Sequence, residues 1–112
     1  MRFGITKILL IDDQRTIDQV HKFTKAVYES YRIRVCRNYA YGKNTLLHNR
    51  YDILYLDHDL GDFRDGKEYT GMDILKLIQS GDVIKPNKIV LVTSNASVRQ
   101  SMQLIIDKIY AE

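Results

Sequence analysis

The sequence has no tryptophan, one cysteine and one proline among its 112 residues. The lone cysteine, Cys36, cannot form an internal disulfide, which excludes the disulfide-stabilised secreted domains and indicates a reducing compartment such as the cytoplasm. There is no apolar run near the ~20 residues that a membrane-spanning helix requires, and the N-terminus lacks the apolar region of a signal peptide. The net charge of +3 is too small to indicate nucleic-acid binding by itself. We therefore expect one soluble, cytoplasmic domain over residues 1–112.

Two short apolar segments without helical periodicity end abruptly in acidic residues. Residues 7–12 form the first predicted strand, with Asp12 and Asp13 at its end. Residues 53–56 form another predicted strand. It is followed directly by three polar residues, Asp57, His58 and Asp59. Uninterrupted apolar runs of this length are typical of strands that are buried on both faces of a parallel sheet.

Strands and helices alternate along the predicted chain. The predicted strands span residues 7–12, 31–36, 53–56 and 89–92. The predicted helices span residues 14–30, 39–49, 71–80 and 96–110. This alternation predicts an α/β fold, with a four-stranded parallel sheet and helices on both of its faces. The strand order is 2-1-3-4 if the first and third strands are the central ones.

Local sequence features mark the ends of several elements. Asp13 is the predicted N-cap of the first helix and Thr70 that of the third, which Gly81 ends. The strict alternation of apolar and polar residues at 31–36 predicts an edge strand. Residues 59–71 are polar, contain three glycines and are predicted to form a long loop. Part of this loop either closes over the ends of the strands as a lid or remains an ordinary solvated loop.

In the predicted strand order, the carboxyl ends of the first, third and fourth strands are adjacent, and ligands of open α/β sheets bind at such ends. We therefore expect four side chains to converge there: Asp12, Asp13, Asp57 and Thr93. Close carboxylates repel one another, and a hard divalent cation such as Mg²⁺ offsets that repulsion by binding their oxygens. Asp59 is a further predicted metal ligand. The alternative is that Asp13 only caps a helix and Asp57 only ends a strand in solvent.

An acid pair after the first strand, an aspartate ending the third and a threonine ending the fourth resemble the receiver domain of two-component response regulators. The resemblance covers about residues 7–110, in the right order and spacing. It implies a truncated, flavodoxin-like receiver fold in which Asp12 and Asp13 hold Mg²⁺. It also implies that Asp57 accepts a phosphoryl group and that the hydroxyl of Thr93 contacts that group.

Two features differ from the common receiver pattern. Receiver domains continue into a fifth strand that ends in a phosphate-contacting lysine, whereas this sequence stops after the fourth predicted helix. Lys85 and Pro86 look like the lysine-proline pair found there, but they precede the fourth strand, so the role is not transferred to them. Several segments instead resemble the short cyclic-phosphate processing receiver domains, which are found in phages and bacteria. These segments are residues 57–61, residues 70–71, and residues 94–95 together with Arg99.

Two classes of function follow. In the first, an Mg²⁺-dependent domain handles phosphate, either as a phospho-acceptor at Asp57 or by processing a phosphoester or cyclic phosphate. The candidate catalytic residues are Asp57, His58, Thr93 and Arg99. His58 is a general acid or base in this scheme, or else a hydrogen-bonded structural residue. In the second class, a non-enzymatic phage or bacterial module uses a degenerate receiver fold to bind a regulatory protein. The sequence leaves open whether the protein is an enzyme.

Residues 89–92 are apolar although the predicted order places them at an edge of the sheet, and an apolar edge strand invites pairing. We expect a homodimer, or a partner protein that contacts this strand or the last helix. A basic region around the second strand, interleaved with Tyr39 and Tyr41, either contacts RNA or another polyanion or only protects the edge strand from mispairing. We favour the protective role. The region consists of Arg32, Arg34, Arg37, Lys43 and Arg50.

Overall fold

The computed structural model describes residues 5–24 and 31–111. Strands and helices alternate as predicted, with a short hairpin inserted after the third strand. The elements are β1 (Thr6–Ile11), α1 (Ile17–Thr24), β2 (Tyr31–Cys36), α2 (Tyr39–His48), β3 (Ile53–Leu56), β4 (Asp62–Arg64), β5 (Lys67–Tyr69), α3 (Gly71–Ser80), β6 (Lys88–Leu91) and α4 (Ala96–Ile109). The part of the first predicted helix at residues 25–30 lies outside the described residues.

The main sheet has the predicted topology. β1 pairs with β2 and with β3, and β3 pairs with β6, all in parallel. The resulting order, β2-β1-β3-β6, is the predicted order 2-1-3-4, because β6 is the fourth strand of this sheet along the chain. The α/β prediction is therefore confirmed, and β2 lies at an edge, as its alternating sequence indicates. Among the described residues, no helix combines the length and the apolar character that crossing a membrane requires.

Apolar side chains cover both faces of this sheet. All four residues of β3 are buried, which accounts for its uninterrupted apolar sequence. On one face, Leu54 belongs to a cluster with Ile74 of α3 and Met102 of α4. On the other face, Tyr55 packs in a cluster with Val20 of α1. Burial from both sides holds the ends of the central strands, and the residues that follow them, in a fixed arrangement.

The first helix begins later than the sequence indicates, and Asp13 is not its N-cap. Thr16 caps α1 instead, because its hydroxyl accepts a hydrogen bond from the Gln19 N–H at 3.3 Å. The Gln19 side-chain oxygen in turn accepts from the Thr16 N–H at 2.8 Å, so that two otherwise unpaired N–H groups are satisfied. The prediction for Asp13 is wrong because this reciprocal pair lies three residues further along the chain.

The third helix has the predicted bounds and the predicted caps. The Thr70 hydroxyl accepts from the Met72 N–H at 3.1 Å, and the Asp73 carboxylate accepts from the Thr70 N–H at 2.9 Å. Gly81 ends the helix with a φ of 82°, a left-handed conformation that favours glycine. The start of α3 is therefore fixed by side chains of its own first turn.

Residues 62–69 form a hairpin rather than the predicted loop. β4 and β5 pair antiparallel around Asp65 and Gly66, whose φ angles are 52° and 77°. Asp-Gly is a strong turn sequence for a two-residue hairpin, but each strand has only three, mostly charged residues, so no alternating pattern is visible. Tyr69 stacks on Tyr39 of α2 with 4.5 Å between ring centroids, which attaches the hairpin to that helix.

Candidate functional site

Three carboxylates meet at the carboxyl end of the sheet. Asp12 follows β1 and Asp57 follows β3, and these strands are paired with Ile11 opposite Leu56. The Asp57 N–H donates to the Ile11 carbonyl at 3.0 Å, which extends the strand pairing up to the acid itself. One carboxylate oxygen of each of Asp12, Asp13 and Asp57 lies within 4.8 Å of the other two. The structure thus brings together the three acids that the strand order predicts.

Two of these acids are withdrawn from solvent. Asp12 is fully buried and Asp57 is only 6% exposed. Burial, and after it the charge of Asp12, raises the pKa of Asp57 from 3.8 to about 6. A hydrogen bond from the His58 N–H at 2.8 Å and the charge of Arg15 oppose this rise without cancelling it. The raised pKa indicates that the residues around Asp57 do not neutralise all of the negative charge gathered there.

The donor set of this cluster fits a hard divalent cation. Carboxylate oxygens are the ligands that Mg²⁺ prefers, and Mg²⁺ is commonly held by a few carboxylates while it keeps several waters. Asp12, Asp13 and Asp57 are the residues that would hold such an ion. Asp59 is near, but its Oδ1 lies 2.8 Å from the Nδ1 of His58, so this carboxylate already has a partner.

Arg15 also enters the cluster, which the sequence does not indicate. Its Nη1 lies 3.0 Å from Asp12 Oδ2 and 3.4 Å from Asp57 Oδ2. The turn after β1 places it there, because Asp12 Oδ1 accepts from the backbone N–H groups of Gln14 and Arg15 at 2.9 and 3.0 Å. The only sequence feature that points to Arg15 is its position three residues after a strand-ending acid.

The acids line an open cleft of about 560 Å³. The lining residues are Asp12, Asp13, Gln14, Arg15, Gln19, Asp57, Asp59, Thr93 and Ser94. Thr93 is buried, and its hydroxyl oxygen accepts from the Asn95 N–H at 3.3 Å, so its own hydrogen can be donated to a ligand. Within the described part of the chain, the β4–β5 hairpin contributes no lining residue to this cleft.

His58 and Arg99 lie beside the cleft rather than in its lining. The ring of His58 is hydrogen-bonded to Asp59, which does line the cleft. The guanidinium of Arg99 donates through Nη2 to the Thr93 carbonyl at 3.0 Å. Among the residues predicted from the sequence, the structure therefore places Thr93 in the cleft with the three acids, and His58 and Arg99 in contact with residues of its wall.

This arrangement can now be compared with known proteins. Residues 7–108 match the sequence profile of a family described as the cyclic-phosphate processing receiver domain. The match includes both strands that end in the acids of the cleft, and it spans nearly the whole chain. The chain belongs to this family. The receiver-like character indicated by the order of acids along the sequence is therefore confirmed.

The fold of this cyclic-phosphate processing receiver domain is similar to a known crystal structure. That structure is the signal receiver domain of a protein described as a Luxo repressor from Vibrio parahaemolyticus. The TM-score is 0.54, the sequence identity is 15%, and the similarity covers 95% of this chain and 93% of that chain. At this identity the similarity shows the fold alone. No curated protein matches the sequence. The receiver fold and the acidic cluster together fit a receiver-like phospho-acceptor site.

Gly71 completes the wall behind the acidic site of this receiver domain. Its N–H donates to the His58 carbonyl at 2.9 Å. A Cβ at this position would collide with the carbonyl oxygen of Asp57 and would come within 3.0 Å of the Met102 methyl group. Only glycine allows α3 to begin this close to the strand end that carries Asp57. The sequence shows this glycine next to the Thr70 cap, but not the close backbone approach that requires it.

Proposed function

We propose that this receiver domain binds Mg²⁺ through Asp12, Asp13 and Asp57 and that it handles a phosphoryl group at the same site. One observation carries the proposal: the buried carboxylates of Asp12 and Asp57 end adjacent strands and lie within 4.8 Å of each other and of Asp13. When bound, the cation would neutralise the carboxylates and the charge that develops on a transferring phosphoryl group.

Asp57 is the proposed phosphate acceptor. The His58 N–H donates to Asp57 Oδ1 at 2.8 Å, which holds the carboxylate in one orientation and leaves Oδ2 without a backbone donor. During transfer, an Asp57 oxygen forms a bond to phosphorus while the bond from phosphorus to the donor's leaving oxygen breaks, and that oxygen departs with the electron pair. Only the ionised carboxylate of Asp57 can act as the nucleophile, so phosphoryl transfer requires Asp57 to be deprotonated.

Two other features of the cleft suit an incoming phosphoryl group. The Thr93 hydroxyl, whose oxygen already accepts from the Asn95 N–H, can donate its hydrogen to a phosphoryl oxygen. α4 begins at Ala96, and its N-cap Asn95 directly follows the cleft-lining Thr93 and Ser94. The N-terminus of a helix favours an anion. These residues would position the phosphoryl group, whereas Asp57 would react with it.

The description of the family suggests a cyclic phosphate as an alternative substrate at the same site. A cleft of about 560 Å³ has room for a phosphoester larger than a phosphoryl group. His58 is then the proposed general acid or base, since Asp59 holds its Nδ1 at 2.8 Å and thereby orients the ring. The two forms of the proposal differ in whether phosphorus becomes attached to Asp57 and stays there.

Metal-dependent stabilisation tests Mg²⁺ and phosphate binding, which both forms of the proposal require. Mg²⁺ is expected to raise the melting temperature of the wild-type protein, and a cation at a hundred times its Kd stabilises by about 2.7 kcal/mol. Beryllofluoride, a phosphate mimic, should raise it further only when Mg²⁺ is present. Asp12→Asn and Asp57→Asn should lose both effects, whereas Asp107→Asn, which removes an exposed acid bonded to Gln103 on α4, should keep them. Equal melting temperatures with and without Mg²⁺ in the wild-type protein would refute the proposal.

Mass spectrometry separates the two forms of the proposal. A phospho-acceptor incubated with Mg²⁺ and acetyl phosphate should gain the mass of one phosphoryl group, and Asp57→Asn should not. A phosphoester-processing enzyme should instead convert a cyclic phosphate to a linear monoester without a lasting change in its own mass. In that case His58→Gln should slow conversion more strongly than it changes Mg²⁺ binding, because the imidazole bonds Asp59 and not the three acids that would hold the cation.

A further inference from the structure

Arg15 is the one basic residue among those that line the cleft in the described part of the chain. The other lining residues include four acids, Asp12, Asp13, Asp57 and Asp59. An anionic substrate therefore enters a cleft of strongly negative character, in which a single guanidinium supplies the positive charge. A phosphate cannot bind beside these carboxylates unless cations offset the repulsion.

Arg15 contacts the carboxylate oxygens that the backbone leaves unused. Asp12 Oδ1 accepts two backbone N–H groups, and Oδ2 is the oxygen that lies 3.0 Å from Arg15 Nη1. Asp57 Oδ1 accepts the His58 N–H, and Oδ2 is the oxygen that lies 3.4 Å from the same nitrogen. The guanidinium thus bridges the two strand ends at the oxygens that have no other hydrogen-bond donor within the described residues.

The oxygens without a backbone donor are the most available ligands for a cation between Asp12 and Asp57, and a cation that binds through them must compete with Arg15. The side chain of Arg15 is 28% exposed and has a route toward solvent. Its backbone is held separately, because Arg37 Nη1 donates to the Arg15 carbonyl at 2.6 Å and to the Asp12 carbonyl at 3.2 Å. Displacement can therefore move the guanidinium without unfolding the turn.

We propose that Arg15 occupies the cation position in the metal-free protein, and that Mg²⁺ displaces its guanidinium, which then binds the phosphate anion. This inference rests on the proposed function and adds a residue to it. A guanidinium can bind two phosphate oxygens at once, which suits a group that contacts a phosphoryl group beside a bound cation. Arg15 is a positioning residue before the cation binds and an anion ligand afterwards.

Calorimetric titrations of the full chain test whether Arg15 competes with Mg²⁺ and whether it then binds the anion. Arg15→Gln should bind Mg²⁺ about tenfold more tightly than the wild-type protein, since one charge-assisted hydrogen bond no longer competes. With Mg²⁺ saturating, the same variant should bind beryllofluoride about tenfold more weakly, because it has lost the anion's guanidinium. Arg15→Lys should fall between the two proteins in both titrations. Arg50→Gln is the matched control, since Arg50 is exposed and bonds Asn87 away from the cleft.

Tighter Mg²⁺ binding together with weaker beryllofluoride binding distinguishes the proposed role of Arg15 from a purely structural one, which would weaken both. Unchanged or weaker Mg²⁺ binding in Arg15→Gln would overturn it, and so would unchanged beryllofluoride binding. If Arg15→Gln does not fold, Arg15→Lys carries the comparison, because it keeps a positive charge beside Asp12. If the wild-type protein and the variant both bind no Mg²⁺, the proposed function fails and this inference with it. Mg²⁺ binding by the variant alone would support the competition while refuting the function proposed for the wild-type protein.

Discussion

At the scale of single residues, opposing interactions determine the charge of Asp57. Burial and the charge of Asp12 disfavour its ionised form, whereas the His58 N–H and Arg15 favour it, and the pKa settles at about 6. An unfolded chain would ionise the same carboxyl near 3.8. Between these two pH values the folded protein binds more protons than the unfolded one, so folding becomes less favourable as the pH rises.

The contribution of Asp57 to the stability of the metal-free protein should therefore fall as the pH rises from 3.8 to about 6, and it should then level off. Asp57→Asn removes the ionisable group, and this variant should be more stable than the wild-type protein at pH 7 by about 1–2 kcal/mol, after allowance for solvent screening. The difference should shrink toward zero as the pH falls to 3.8. Urea denaturation in the presence of a chelator, at a series of pH values, measures it.

Asp107→Asn provides the control for this titration, because Asp107 is an exposed acid of α4 that bonds the Gln103 side chain. Its pH profile should follow that of the wild-type protein. If Asp57→Asn changed the pH profile no more than Asp107→Asn does, burial and the charge of Asp12 would not raise the pKa of Asp57.

At the scale of helices and strands, the local sequence predicts the bounds of an element well when the residues of that element and its caps determine them. β3 has its predicted bounds because burial on both faces requires an uninterrupted apolar run. α3 has its predicted bounds because Thr70 and Gly81 supply the caps. The β4–β5 hairpin was missed, since its Asp65-Gly66 turn is flanked by strands too short to show a period and is stabilised by Tyr69 stacking on another element.

The residues of the site also divide into those that local sequence predicts and those that depend on contacts between elements. Asp12 and Asp57 could be predicted to meet because each follows a strand whose uninterrupted apolar sequence indicates a central position in the parallel sheet. Arg15 could not, because it reaches the acids only through a turn that the Asp12 side chain organises with backbone N–H groups. The requirement for glycine at position 71 likewise could not be predicted, because it comes from the short distance between the start of α3 and the end of β3, which no local sequence pattern encodes.

The junction between β3 and α3 gives a prediction for Gly71→Ala. The added methyl group must push the start of α3 away from the Asp57 carbonyl and the Met102 methyl group. We expect a loss of about 1–3 kcal/mol in the free energy of unfolding, which is typical of overpacking a well-filled interior. Mg²⁺ affinity should fall as well, because the displaced backbone carries Asp57. Thermal melting and Mg²⁺ titration measure the two effects.

Gly66→Asn is a suitable control for this variant. Nothing lies within 4 Å of a Cβ at Gly66, and asparagine tolerates its φ of 77° better than other residues do. The control should melt near the wild-type temperature and bind Mg²⁺ normally. If Gly71→Ala matched the control in both measurements, the close contact between α3 and the strand end would not constrain the site.

At the scale of the whole molecule, the two sides of the sheet are covered differently. Residues of α2, α3 and α4 pack on one face, and among the described helices α1 packs on the other. β6 pairs with β3 along one edge, and no described strand pairs with its other edge. On the adjacent helix α4, the side chain of Leu104 is 61% exposed. An unpaired strand edge, together with an exposed apolar side chain on a neighbouring helix, offers surface on which two chains can associate.

We therefore predict that the protein forms a homodimer through β6 or α4, with a sedimentation coefficient that rises with protein concentration. A stable interface needs about 800 Å² from each partner, which a strand edge and one helix face together can supply. Leu104→Glu should weaken association, because it places a charge in the expected contact. Leu47→Glu alters an apolar side chain of α2 that is 42% exposed and should leave association unchanged. A wild-type protein that sediments as a monomer throughout a dilution series would exclude self-association through this edge, and the two variants would then be indistinguishable.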